Sequence, residues 1–301
     1  MTQVVEFSSL GVTLRGHLYL PKNTDHKVPI VIMAHGFSAT ISGMVADRYA
    51  ESFQAAGFAV LLYDHYSLGI SDGEPRQHIN AWVQARGYID AIDFVTTLSK
   101  IDQKRIAVWG DSTSGAEVIV VGALDDRVGA IVTQIPGDMD ELPADPDGAL
   151  FEAFREVFLQ NDFEYIPNNI SEQMPVVSFD QLGTPSIMKP LTAFRWFIEY
   201  GGRFGTNWQN WATHSSPNRP EQFSSFLCAP FLKAPILMVI AKDDEMPGAS
   251  SELAREVYKA APEPKELFEI DGGHFGLLYY PSPIFAQASQ AEVDFLKKYL
   301  S

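Results

Sequence analysis

Short apolar runs without polar alternation recur along the chain at residues 30–34, 59–63, 106–109, 128–133, 236–241 and 267–270. Their Val, Ile and Leu content is the pattern of strands covered on both faces, and it predicts a mostly parallel central sheet. Ahead of them, residues 4–7 and 12–20 alternate around the turn-forming Ser9-Leu10-Gly11, which predicts an antiparallel hairpin on one sheet edge. Residues 45–56, 81–98, 115–124, 251–260 and 286–299 carry apolar positions at helical spacing. Strands and helices in this succession make a doubly wound α/β plan, with helices on both faces of the sheet.

One stretch breaks the rhythm. From Gly137 to Cys228, 92 residues pass without a strand-like run at βα spacing, too long for a structureless loop. Residues 149–159 and 191–201 read as amphipathic helices separated by Pro-, Asn- and Gly-containing connectors. The stretch holds 15 of the chain's 36 Phe, Tyr and Trp residues, so it is expected to be a helical cap, with most rings forming its own small core and a few lining a ligand pocket. Residues 1–136 and 229–301 then form the core domain, and 137–228 the cap.

Composition narrows the functional classes. With 46% apolar and 20% charged residues, the chain has the make-up of a soluble globular protein. Its net charge of −16 repels nucleic acid and anionic membrane surfaces. The lone Cys228 permits no intramolecular disulfide and no cysteine-based zinc site, and is expected to be a buried thiol. An acidic run (Asp138, Asp140, Glu141, Asp145, Asp147) lacks the spacing and central glycine of a calcium loop. No basic and apolar leader opens the chain, and its longest apolar runs, such as 234–241, are too short to span a bilayer, so a cytoplasmic protein without membrane or metal partners is expected.

The chemistry is concentrated in four short segments. Gly110-Asp111-Ser112-Thr113-Ser114-Gly115 follows the strand ending at Trp109 and opens a helix, the context of a nucleophile elbow. Small residues two before and two after the nucleophile let strand and helix approach; in that frame Ser112 is the nucleophile, with Gly110 and Ser114 in the flanking places. A serine hydroxyl needs a general base, and the base an orienting acid. Both are available past the ends of later strands: Lys242-Asp243-Asp244-Glu245-Met246-Pro247 after 236–241, and Asp271-Gly272-Gly273-His274-Phe275 after 267–270. His274 is the candidate base. Asp244 has the better spacing for the acid, with Asp243 and Glu245 as alternatives. Ala34-His35-Gly36-Phe37-Ser38, after the first parallel strand, is placed to supply an oxyanion hole, whose candidate backbone donors are Phe37 and Thr113. His35 is expected to pack beneath the site as a turn residue, since the base role has a better-placed occupant.

With these segments in hand, the sequence resembles the α/β-hydrolase superfamily. His35-Gly36-Phe37, the run from Tyr63 to Arg76 with its Ser71-Asp72-Gly73-Glu74-Pro75-Arg76 end, the elbow, the Asp243-Asp244 turn and Gly272-Gly273-His274-Phe275 carry the likeness. The Ser71–Arg76 segment and the elbow are similar to dienelactone-hydrolase-like proteins and to the catalytic domain of X-Pro dipeptidyl-peptidase and cocaine-esterase relatives. The resemblance implies an α/β-hydrolase fold, a Ser112, Asp244, His274 triad, a cap over the pocket and no cofactor. Ser114 in place of the second elbow glycine and Ala241 in place of a turn glycine depart from the pattern without removing a catalytic atom. With no segment of jelly-roll size after His274, exopeptidase activity is not expected.

Serine at position 112 leaves acyl transfer as the expected chemistry: hydrolysis of an ester, lactone or thioester of a mid-sized apolar substrate, or acyl transfer or thioester release with an alcohol acceptor, as the resemblance implies for secondary metabolism. Trp196, Tyr200, Trp208 and Trp211 are the candidate substrate contacts. The expected partner is a small acyl substrate, and a homodimer is left open.

Overall fold

The structure, a computed structural model, describes residues 2–22, 26–137, 145, 147–160, 170–215 and 222–300; Asp138, Asp140 and Glu141 of the acidic run lie outside them. The chain opens with β1 (Thr2–Ser9), β2 (Val12–Tyr19), β3 (Val28–Ala34), α1 (Ala46–Ala55), β4 (Ala59–Tyr63), β5 (His78–Ile79) and α2 (Ala81–Thr96). The nucleophile segment joins β6 (Ile101–Asp111) to α3 (Thr113–Leu124), and β7 (Val128–Gln134) follows. After α4 (Ala149–Leu159), α5 (Leu191–Gly201), β8 (Thr213–His214) and α6 (Ser225–Cys228), the sheet resumes with β9 (Ile236–Ala241), α7 (Ser251–Ala260), β10 (Lys265–Ile270) and α8 (Pro283–Leu300).

Eight strands form one sheet in the order β1-β2-β4-β3-β6-β7-β9-β10. The β1–β2 hairpin joins it antiparallel to β4, and the remaining neighbours pair parallel. This is the α/β-hydrolase fold. The unalternating runs follow from it: in β3, Ile30, Ile32 and Ala34 face a core shared with α2 and α3, while Val31 and Met33 face a second core shared with α1 and α8. The strand carrying the nucleophile starts earlier than its apolar run, because Gln103, Lys104 and Arg105 are partly exposed and hide its first turns of the ladder. No described helix is long and apolar enough to cross a membrane.

Among the described residues, the buried aromatic rings of the long stretch between β7 and β9 do not form a core of their own, contrary to expectation. They divide between the two faces of the sheet. Phe151, Phe154 and Phe158 on α4 join the α2–α3 core, with Phe154 and Phe158 at 4.8 and 5.8 Å from the Trp82 ring and Phe151 stacked at 4.0 Å on Phe231. Trp196, Phe197 and Tyr200 on α5 join the other core, where Trp196 stacks on Phe275 at 5.2 Å. Large rings lower their free energy by finding the deepest apolar surface within reach, and the covered faces of an eight-stranded sheet offer more of it than two short helices do. The stretch also contains extended pairings: β8 pairs parallel with β5, and single bridges join Met174 to Ala212 and Val177 to Met188. Pairings of one or two residues carry no hydrophobic period, so no pattern announces them.

Trp82 is therefore the anchor of α4 on the sheet. Replacing it with alanine should cost about 3–5 kcal/mol in denaturant unfolding, the range for a fully buried large ring. A Trp82→Ala protein with an unchanged midpoint would mean that the α4 rings are stabilised among themselves.

Candidate active site

The site begins as a backbone constraint. Ser112 sits between β6 and α3 at φ 53° and ψ −122°, a conformation that side chains other than glycine rarely adopt. The chain tolerates it because the surroundings leave no alternative. The Ser112 N–H donates to the Gln134 carbonyl at 3.0 Å, and the Gly137 N–H donates to the Ser112 carbonyl at 2.8 Å. Gly110 must lack a side chain, since a Cβ there would fall 2.2 Å from the Ser114 carbonyl oxygen. Gly36 must as well, because a Cβ would lie 2.6 Å from the Asp111 carbonyl oxygen. The turn thus lifts the Ser112 hydroxyl off the sheet while strand, helix and the loop after β3 close tightly around it.

Two loops at the same end of the sheet meet that hydroxyl. Past β10, His274 places Nε2 3.0 Å from Ser112 Oγ. Past β9, Asp244 Oδ2 lies 2.8 Å from His274 Nδ1, and its other oxygen accepts the Met246 N–H at 3.0 Å. Both side chains are about 2% exposed, so this contact is shielded from solvent. Of the three acidic neighbours, Asp244 is the one brought to the imidazole. Asp243 is exposed. Glu245 instead accepts the backbone N–H of His274 at 2.9 Å and hydrogen-bonds the Thr192 hydroxyl, tying the histidine loop to the first turn of α5.

Phe37 lines the cleft beside Ser112, and Thr113 opens α3, so its amide projects from the positive end of that helix. The cleft is narrow. Around Ser112 and His274 the cleft is walled by Phe37, Ala39, Met188, Trp196, Phe197, Phe275 and Leu278, and His35, Gly36 and Asp111 also line it. Of the four aromatic residues expected to touch substrate, Trp196 alone is brought to this wall. Tyr200, one turn further along α5, spends its hydroxyl on the backbone of Tyr280, accepting that N–H at 2.9 Å. Trp208 stacks behind Phe197 at 5.3 Å, and Trp211 donates to Gln209 at 2.7 Å in an exposed position. Aromatic content pointed to the right helix without giving the direction of each ring. Phe197 and Phe275, next to residues already singled out, carried a weak positional signal; Met188 and Leu278 carried none.

Ser114 and Asp111, flanking positions of the elbow, turn out to be deep in polar networks. Ser114 is fully buried and its hydroxyl accepts from His65 Nε2 at 2.9 Å while facing Glu117 Oε2 at 2.9 Å and the His35 carbonyl at 3.0 Å. Burial pushes His65 down to about 3, so the ring is neutral. Behind β6, Glu292 on α8 accepts from Trp109 Nε1 at 3.3 Å and hydrogen-bonds the Gln134 side chain; burial raises it to about 8. Asp111 pairs with His35, which lies beneath the site as expected but in contact with a carboxylate that the sequence did not link to it. Among the described residues, no group of three or more His, Cys, Asp or Glu could hold a metal ion.

This is the architecture of a serine hydrolase of the α/β type, and comparison with known proteins agrees. The family model described as X-Pro dipeptidyl-peptidase (S15 family) matches residues 11–142. A thiohydrolase, apmlB of Arthrinium phaeospermum, is 30% identical over 309 residues, covering 99% of this chain and 97% of its own. A polyketide transferase, grgF of Penicillium sp., is 37% identical over 133 residues, covering 44% of each chain. The crystal structure of the α/β hydrolase GrgF from Penicillium sp. sh18 superposes with a TM-score of 0.72 at 25% identity, covering 100% of this chain and 99% of that one. The chain belongs to the α/β-hydrolase superfamily, in the family of that thiohydrolase, and it is an enzyme of the serine hydrolase type.

If the 2.8 Å contact selects the acid, Asp244→Asn should lower kcat by on the order of 10⁴-fold, the size of effect known when a triad carboxylate loses its charge. Asp243→Asn should leave kcat within about threefold, as befits a solvent-exposed side chain outside the hydrogen-bonded array. Steady-state ester hydrolysis by the two folded proteins would decide; the reverse ranking would move the acid role to Asp243.

Proposed function

We propose that the protein cleaves a carboxylic ester, lactone or thioester of a mid-sized, apolar acyl group through an acyl-enzyme on Ser112. The observation that carries this reading is the Ser112–His274–Asp244 array, at 3.0 and 2.8 Å, opening into a cleft whose walls, apart from His35 and Asp111, are apolar. Ser112 Oγ attacks the substrate carbonyl as His274 Nε2 takes its proton. Asp244 holds the Nδ1 proton in place and stabilises the imidazolium. The Phe37 and Thr113 amides receive the oxyanion, a contribution of a few kcal/mol per donor in a site closed to water. The imidazolium then protonates the leaving alcohol or thiol, and a water activated by the same histidine releases the acid.

Residues 137–228 act in this reading as the cap. Trp196 and Phe197 cover the acyl group from α5, and Met188 closes the wall from the segment before it. Such a roof favours an acyl chain with flat or branched apolar parts and gives no counter-charge to an anionic one. A thioester is the favoured substrate, because a thiohydrolase is 30% identical to this chain over 97% of its own length. A second reading has its own support. In it an alcohol replaces water as acceptor, and its support is that a polyketide transferase is among the relatives. The same triad serves both, and the acceptor is chosen by how fully the closed cleft excludes water.

Two results are expected. Ser112→Ala should reduce turnover of p-nitrophenyl esters and of acyl thioesters to background with the fold intact by circular dichroism; retained turnover would remove Ser112 from the mechanism. In the wild-type enzyme, product analysis with and without added alcohols should show free acid as the main product, and predominant ester formation at low alcohol concentration would favour the transferase reading.

A further inference from the structure

Asp111 immediately precedes the nucleophile, and the steps above give its side chain no part. It is 1% exposed, and its carboxylate points back to the loop after β3. Oδ1 accepts the Gly36 N–H at 3.0 Å and lies 3.0 Å from His35 Nδ1, with Oδ2 2.9 Å from the same nitrogen. The opposite ring nitrogen, His35 Nε2, is 2.5 Å from the Met44 carbonyl oxygen.

These contacts fix the protons. A carbonyl oxygen only accepts, so His35 Nε2 carries hydrogen. A bare Nδ1 would set its lone pair against two carboxylate oxygens at about hydrogen-bond distance, so Nδ1 carries one too. The Gly36 N–H lies 3.1 Å from Nδ1 as well, but a protonated nitrogen cannot accept, which leaves that amide to Asp111. With Asp111 ionised, the ring is an imidazolium paired with a carboxylate. Burial opposes the charge on His35, yet the adjoining Asp111 carboxylate and the Met44 carbonyl outweigh it and raise the ring's pKa. Trp196 on α5 packs edge-on against the ring at 5.7 Å, which keeps the pair dry.

We propose that Asp111 is a positioning residue for acyl transfer: its carboxylate, balanced by the His35 imidazolium, holds the His35-Gly36-Phe37 turn in register with Ser112. The last ladder partners between β3 and β6 are Ala34 and Gly110. Beyond them the two chains diverge into the oxyanion loop and the elbow, and the Asp111 side chain ties one to the other. Two donors of the loop, the Gly36 amide and the His35 ring, converge on a group whose own carbonyl carbon is bonded to the Ser112 nitrogen. The distance from the Phe37 amide to the attacked carbonyl is set through that tie. Displacement of a catalytic group by about 1 Å can cost on the order of 10²-fold in rate.

The proposal rests on the acyl-enzyme reading, and the experiment separates the two. The wild-type enzyme, labelled with ¹⁵N-histidine, should show one histidine with both ring nitrogens protonated and slowly exchanging at neutral pH, absent from the His35→Gln spectrum. A pyridine-type nitrogen on His35 would overturn the charged pair without need of an Asp111 variant. For Asp111→Asn and Asp111→Ala, kcat per folded enzyme should fall by about 10²-fold with KM changed by less than about threefold. A role confined to stability would lower the unfolding midpoint and leave kcat of the folded enzyme intact, and that result would overturn the proposal. If Ser112→Ala abolishes turnover while Asp111→Asn keeps wild-type kcat, the acyl-enzyme reading stands and the positioning role falls; if Ser112→Ala is active, the reading beneath it fails first.

Discussion

The strained backbone of Ser112 is the constraint on which the rest of the structure depends. A positive φ at a serine costs of order 1–3 kcal/mol and persists only where its neighbours over-determine it. Here they do so from every side: β6 enters through its buried run 106–111, α3 leaves along its own axis, and Gln134 at the end of β7 and Gly137 just past it bind the Ser112 backbone. Without the close approach that Gly36 and Gly110 permit, strand, helix and oxyanion loop could not crowd one hydroxyl. The large apolar cores on both faces of the sheet supply the stability that lets such a turn exist.

Around this turn, the polar groups sort by depth. Ser112 and His274 at the cleft are backed by Asp244, and Asp111, His35, Ser114, His65, Glu117 and Glu292 are buried around them. Burying so many titratable groups is costly unless they bond one another. They meet that demand in two ways. His65 is kept neutral and Glu292 is raised to about 8, whereas His35 is matched with a carboxylate. His35 and Asp111 meet where the oxyanion loop leaves β3.

Much of this was legible in the sequence, for identifiable reasons. Strands buried on both faces appear as unalternating apolar runs, so β3, β4, β7 and β9 are readable almost to the residue. Ser112 and His274 are readable because each follows a strand end in a loop whose small residues have no other use. Asp244 needed geometry to separate it from Asp243 and Glu245, since adjacent carboxylates differ in direction and not in type. The Asp111–His35 pair joins residues 76 apart and leaves no local trace. The ring directions of Trp196, Tyr200, Trp208 and Trp211 depend on which sheet face the inserted helices cover, and that is a tertiary fact. For the same reason the rings of α4 and α5 were expected in a separate core and were found in two shared ones.

The central claim is a covalent acyl-enzyme on Ser112, and pre-steady-state hydrolysis of a p-nitrophenyl ester, quenched and digested for mass spectrometry, tests it most directly. The account predicts a burst of p-nitrophenol close to one equivalent of enzyme, with the acyl mass on the peptide containing Ser112. Turnover with the acyl group on another residue, or with oxygen from labelled water entering the product while no acyl-enzyme forms under conditions that slow its breakdown, would contradict it.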